Sequence, residues 1–375
     1  MIPISRPHLG EAERRAVEEA LDSGWVAQGP RVAAFERAFA GFCGVEHAVA
    51  STSCTTALHL AVAALGAGPG DEVVVPAFTW IATANAVAYT GATPVFCDVS
   101  RDTFNLDPDA MAAAVGERTV GLLPVHLFGL AADMAAVGAL ARRHGLWVVE
   151  DAACAVGTRQ AGRHAGGFGD AGCFSFHPRK TLTTGEGGML VTGDGALAAR
   201  ARSLRDHGSS RSGHARHVRP RAFQLADHDM LGFNYRMTDV QAAIGCAQLD
   251  RAGWLLAERA RLAARYTDAL AGVDWLHLPQ VPDGETHGWQ SYVCLCAPGV
   301  DREALMAALE DQGIATRPGT HAPPETGVYG RGPEEFPNAH LAARLSLALP
   351  LYAGLTDGEQ DRVIEALRSA QPSRT

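Results

Sequence analysis

A chain of 375 residues with 47% hydrophobic and 19% charged side chains can bury a large core and divide into two units, which excludes disorder as its general state. The formal net charge of −9 excludes nucleic acid and anionic membrane surfaces as principal partners, because neither attracts an acidic protein; small molecules and protein subunits remain. No stretch reaches the roughly 18 apolar residues of a membrane span, and MIPISRPHLGEAERR lacks a charged head followed by an apolar run, so the expected location is cytoplasmic.

From about residue 50 to 195, short apolar runs alternate with helical patterns. DEVVVPA is followed by a helix over Ile81 to Tyr89, TPVFCDV by a helix from Asp107, TVGLLPV by a helix over Met134 to His144, and LWVVED by CFSF and GGMLVT. Strands separated by helices imply right-handed crossovers and an α/β fold with a mostly parallel central sheet covered by helices. Ligands of such sheets bind at the carboxyl ends of strands. Pro76 to Trp80, Asp151, and Ser175 to Lys180 each directly follow a strand, so three stretches converge on one rim. A long helix is expected from Thr238 to about Leu270. Beyond it a smaller α+β unit holds strand QSYVCLCA, helix Arg302 to Asp311, the Pro/Gly-rich loop TRPGTHAPPETGVYGRGP, and helix Asp357 to Ser369. The boundary falls near residue 250, giving a large unit of residues 1–250 and a small one of 251–375. The tail after Ala370 is expected to fray.

Eight cysteines (Cys43, Cys54, Cys97, Cys154, Cys173, Cys246, Cys294 and Cys296) show no metal-ligand spacing and read as free buried thiols, with no metal expected. Between Arg200 and Arg221, seven arginines face one acid, Asp206. Such a loop is either solvated or a contact for phosphate oxygens, which arginine forks suit.

Of the 32 Lys and Arg residues, only Lys180 is a lysine, in FSFHPRKTLTTGEGGM between a strand and a glycine-dense turn. An arginine stays protonated, whereas a lysine amine changes protonation readily and forms Schiff bases. A Schiff base with pyridoxal phosphate (PLP) requires an acid for the ring nitrogen, a phosphate cradle and a stacking group. Asp151 can supply the acid, although it could equally cap a helix begun by DAACA. Ser53-Cys54-Thr55 precedes the helix-like ALHLAVAAL, where hydroxyls and free N–H groups could hold a phosphate or simply form a cap. Ser175 can add a hydroxyl, and Trp80 can stack on a ring or belong to the core. Gly185, Gly187 and Gly188 permit tight turns.

These stretches, with GWVAQGPRVAAFERAFA, GATPVFCDV, LPVHLFG, VVEDAA, GFNYRMTDVQAAIGCAQL and FPNAHLAARLSLALPLY, resemble the DegT/DnrJ/StrS-type sugar aminotransferases over nearly the whole chain. That family is a branch of the fold-type-I PLP-dependent transferases. The resemblance implies that Lys180 carries the cofactor, Asp151 is the partner of its ring nitrogen, Trp80 stacks on it, and Ser53, Thr55 and Ser175 hold its phosphate. It also implies that Asn234 reaches the phosphate of a neighbouring subunit, which makes the protein a homodimer with a shared site. Cys154 stands where Gln or His is usual beside the cofactor's 3-hydroxyl, and Cys54 where Gly is usual. The loop after LRDHG resembles the family's variable substrate loop. Arg219 and Arg221 within it, with Tyr235 and His321, are candidate substrate contacts.

The expected reaction is ping-pong transamination from L-glutamate to a nucleotide-linked keto-deoxysugar, giving an amino sugar. Sugar dehydratases of the same family replace the lysine with histidine, so Lys180 speaks against deoxygenation. A keto-cyclitol acceptor of inosose type, with glutamine or glutamate as donor, keeps the same motifs and is the alternative. A non-catalytic regulator lacks support, since no helix-turn-helix with a basic recognition face is evident. An oxidoreductase is disfavoured by the absence of G-x-G-x-x-G between a strand and a helix.

Overall fold

Val73, Val74 and Val75 are all buried, as an unbroken β-branched run must be in a strand covered on both faces. The computed structural model describes residues 1–210 and 227–373. Within these, the strands are β1 (His47–Ser51), β2 (Glu72–Pro76), β3 (Thr93–Cys97), β4 (Thr119–Leu122), β5 (Trp147–Asp151), β6 (Arg159–Gln160), β7 (Arg163–His164), β8 (Ala171–Ser175), β9 (Gly188–Thr192), β10 (Leu276–His277), β11 (Glu285–Thr286), β12 (Tyr292–Cys296) and β13 (Ser346–Leu349).

Seven of them form the main sheet in the order β1-β9-β8-β5-β4-β2-β3. Side-chain alternation divides each strand between two layers. Val49, Val73, Val75, Val149 and Leu190 pack with helices Cys54–Ala64, Ala82–Ala88 and Gly195–Arg205. Ala48, Ala50, Met189 and Val191 pack with Pro30–Cys43 and Asp239–Asp250, while Val74, Leu122 and Val148 pack with Met134–His144. The helices expected over Met134 to His144, Arg302 to Asp311 and Asp357 to Ser369 form with those bounds.

Strands β8, β5, β4, β2 and β3 are parallel, and β9 is antiparallel to both β8 and β1. Two reversals leave β1 pointing the same way as β8. The chain therefore leaves β1, β2, β5 and β8, and enters β9, along one edge of the sheet.

The single helix expected from Thr238 to Leu270 is instead two, Asp239–Asp250 and Ala252–Leu270. Arg251, between them, departs from helical geometry with φ −105° and ψ 4°. Its guanidinium donates to Glu13 Oε1 (3.0 Å) and pairs with His8 Nδ1 (2.6 Å), contacts made to the start of the chain. A second sheet, β10-β12-β13, is antiparallel. Its core holds Leu262, Tyr266, Leu305, Val363 and Leu367, and Ile2 joins it from the start of the chain. The tail expected to fray is held at Ser373, whose carbonyl accepts from Asp301 N (2.9 Å). Among the described residues no helix is long and apolar enough to cross a membrane.

Glu150, fully buried on β5, accepts hydrogen bonds from the N–H groups of Gly166 (2.6 Å), Phe168 (2.6 Å) and Gly169 (2.7 Å). His126 Nε2 lies 2.8 Å from the same carboxylate. Since Ala132 N donates to His126 Nδ1 (3.0 Å), the imidazole proton sits on Nε2 and is donated to Glu150. Replacing Glu150 with Leu would strand four donors at once. Glu150→Leu should destabilise the protein by about 3–5 kcal/mol in urea unfolding, and a cost below about 1 kcal/mol would show that the network is dispensable.

Candidate active site

Asp151 ends β5 and is buried. Thr83 Oγ1, in the first turn of Ala82–Ala88, donates to its Oδ2 (2.8 Å), and Ala153 N donates to Oδ1 (3.1 Å). Asp151 does not cap a helix, since the residues after it form turns. Burial pushes the carboxyl up from the ordinary aspartate range, against the pull of the Thr83 hydroxyl, the Ala153 amide and the charge of Lys180.

Ser53 is the N-cap of Cys54–Ala64, and its Oγ accepts from Thr56 N (3.2 Å). In return Ser53 N donates to Thr56 Oγ1 (3.0 Å), which leaves the amides of Cys54 and Thr55 as the open donors of the first turn. A Cβ on Gly188 would collide with the Ser53 carbonyl and the Cys54 amide, so β9 can lie against this helix start only with glycine there. The Cys54 thiol turns away into the core, donating to Cys173 O at 3.5 Å, and burial holds it in the neutral form. Cysteine in place of glycine thus costs the helix terminus nothing. Thr55 is half-buried beside it.

Ser175 ends β8, buried, with its Oγ accepting weakly from His177 N (3.4 Å). Lys180 follows in the turn. Its backbone N–H donates to His177 O (2.8 Å), and its Nζ donates to Cys154 Sγ at 3.1 Å. The lone lysine and the atypical cysteine are therefore in contact.

Trp80, beyond β2, is 59% exposed, and its ring lies 5.3 Å from that of His321. Thr79 N donates to His321 O (3.1 Å), which docks the TRPGTH loop on this edge. Tyr235 accepts from Thr52 N through its carbonyl (3.0 Å), while its hydroxyl pairs with His59 Nδ1 (3.2 Å). Asn234, next to it, is exposed. Arg219 and Arg221 lie outside the described residues. The stem leading to them is closed by Ser210 N donating to Asp227 O (2.9 Å) and Asp229 N to Gly208 O (3.1 Å). All eight cysteines are free, and no cluster among the described residues could hold a metal.

With this geometry in view, the sequence pattern of the DegT/DnrJ/EryC1/StrS aminotransferase family matches residues 7–368. The chain belongs to that family. It is 42% identical to the spore coat polysaccharide biosynthesis protein SpsC of Bacillus subtilis (strain 168), over 98% of this chain and 96% of that protein. It is also 42% identical to the GDP-perosamine synthase of Caulobacter vibrioides, over 98% and 97%. Among solved structures, the aminotransferase TlmJ from Streptoalloteichus hindustanus superposes with a TM-score of 0.91 at 38% identity, covering 98% of each chain. The protein is accordingly a PLP-dependent sugar aminotransferase, with the fold-type-I architecture and cofactor expected from its motifs.

The edge residues of this aminotransferase fit that cofactor. They offer one primary amine, one buried carboxylate already partnered on both oxygens, and a helix start with open amides, close-packed against glycine. Sequence reasoning missed Thr83, because a threonine in a first helical turn signals only local capping. It read TRPGTH only as a stretch that could face a diphosphate, without singling out Arg317.

A carboxyl whose pKa rises on folding weakens the folded state as pH climbs out of the range where it is protonated in both states. Removing a donor from the charged form raises that pKa further. Thr83→Val should therefore cost little below about pH 4 and about 1.5–3 kcal/mol at neutral pH, read from urea midpoints of cofactor-free protein across pH. A pH-independent loss would assign Thr83 to packing alone.

Proposed function

We propose that this aminotransferase moves an amino group from L-glutamate to a keto-deoxysugar carried on a nucleoside diphosphate. The observation that carries the reading is Lys180 Nζ on the same sheet edge as the buried, doubly hydrogen-bonded Asp151. The nucleotide-linked acceptor draws support from the name of the Caulobacter relative, a GDP-perosamine synthase, and a polysaccharide context from the Bacillus one.

In this reading Lys180 anchors PLP, Asp151 keeps its ring nitrogen protonated, and Trp80 covers its face. Ser53, Thr55, Ser175 and the open amides of Cys54 and Thr55 hold its phosphate. When bound, the cofactor supplies an electron sink for the carbanion left when a Cα–H bond breaks. Lys180 Nζ removes the Cα proton of the donor, and in the second half-reaction a proton is delivered from the same amine to the sugar carbon that receives nitrogen. Exposed Asn234 suits a contact across a two-fold axis, which makes the working unit a homodimer with a shared site.

The purified holoenzyme should show a visible absorption band that L-glutamate bleaches and a GDP- or dTDP-linked 4-keto-6-deoxyhexose restores. Restoration by a keto-cyclitol alone would replace the sugar reading. Lys180→Arg keeps the charge yet should remove the band and lower kcat at least about a thousandfold; retained turnover would refute the role given to the amine.

A further inference from the structure

Cys154 and Lys180 belong to separate turns, and each is fixed through its backbone. Cys154 lies in the turn after β5, where Ala155 N donates to Ala152 O (2.9 Å) and Ala152 N to Cys173 O (2.9 Å). Lys180 lies in the turn after β8, closed by its own N–H on His177 O (2.8 Å) and braced by Gln290 Nε2 on Arg179 O (3.1 Å). The 3.1 Å between Nζ and Sγ is therefore set by the fold. It places the only ε-amine of the chain against a thiol.

The other thiols are shielded from reagents. Cys43, Cys54, Cys97, Cys173, Cys294 and Cys296 are buried, and burial pushes each of them up from the ordinary thiol range. Cys246 is half-buried, yet burial and then the charge of Asp250 push it up to about 11, which leaves little thiolate at neutral pH. Cys154 is also half-buried but borders positive charge. Lys180 donates to it, and Arg317, whose pKa burial and Arg179 push down, is pushed back up by Cys154. A partly exposed sulfur among cations is the setting in which thiols react with peroxides.

The chemistry of such a contact is defined. When a thiol attacks hydrogen peroxide, the O–O bond breaks, sulfur gives up two electrons and becomes a sulfenic acid, and one water leaves. A sulfenic acid condenses with a nearby nitrogen: the uncharged amine attacks sulfur, the S–O bond breaks, and a second water carries off the oxygen and an amine proton. The product is a sulfenamide, a sulfur–nitrogen bond. Lysine's flexible four-carbon stem supplies the remaining approach without movement of either turn. Two equivalents of an external thiol reverse the step, returning the cysteine and the amine and leaving a disulfide between the reductant molecules.

We propose that Cys154 and Lys180 form a reversible oxidative modification site, in which a peroxide joins Sγ to Nζ and so closes the amine to PLP, while bound PLP keeps the bond from forming. The protective half of this proposal rests on the reading of Lys180 as the cofactor's anchor; the bond itself does not. In the test, cofactor-stripped and PLP-loaded wild type are treated with hydrogen peroxide, denatured and mapped as peptides by mass spectrometry. From stripped protein, the peptide of Cys154 should emerge joined to that of Lys180, lighter by two hydrogens than the separate pair, in at least about ten times the yield from PLP-loaded protein. Dithiothreitol should separate the two and restore PLP uptake. With folding confirmed by thermal melts, Cys154→Ser should give no joined peptide, and Lys180→Arg should stop at a sulfenic acid that dimedone traps; the second variant carries the comparison if the first does not fold. A free Lys180 peptide beside a Cys154 sulfinic acid, or a Cys154 disulfide to Cys54, overturns the proposal. Equal joining in PLP-loaded protein removes Lys180 as the anchor and leaves the bond, whereas wild type that shows the visible band but never joins the peptides removes this inference alone.

Discussion

A carboxyl group at the last position of a strand covered on both faces must be held by donors or give up its charge. At Asp151 the task is shared by Thr83, Ala153 and the charge of Lys180. Thr83 Oγ1 also lies 3.0 Å from Thr79 Oγ1, and Thr79 in turn receives the TRPGTH loop through its N–H. The demands of one buried oxygen pair thus reach from β5 to the chain beyond β2 and on to a loop of the smaller sheet. A relay of hydroxyls is well suited to this, because each can donate in one direction and accept in the other.

The adjacent position shows how environment divides labour between like residues. Successive side chains of β5 point to opposite faces, so Glu150 and Asp151 never meet the same surroundings. Glu150 spends its lone pairs on the Gly166 to Gly169 turn and His126, a closed structural arrangement. Asp151 retains a place on the edge where the chain leaves β1, β2, β5 and β8. The antiparallel insertion of β9 between β1 and β8 is what brings the helix start at Ser53 to that same edge.

Most of this layout was legible in the sequence because its signals are local. Apolar runs marked the strands, a hydroxyl before ALHLAVAAL marked a helix start, and a lone lysine after a strand marked the chemistry. What escaped depends on partners far along the chain. The break at Arg251 reflects its grip on Glu13 and His8, 238 and 243 residues away. Thr83 finds Asp151 at a separation of 68 residues. The direction of the Cys54 thiol follows from the carbonyl of Cys173. Neither short-range spacing nor composition encodes such pairings.

Lys180, the single lysine, also makes the protein unusually simple toward amine chemistry. Apart from the chain's own terminus, an acylating dye or a reductive-alkylation reagent finds one ε-amine, half-buried and 3.1 Å from a thiol. Dye incorporated at that ε-amine, over and above the terminal amine, therefore falls wherever the ε-amine is already covalently occupied.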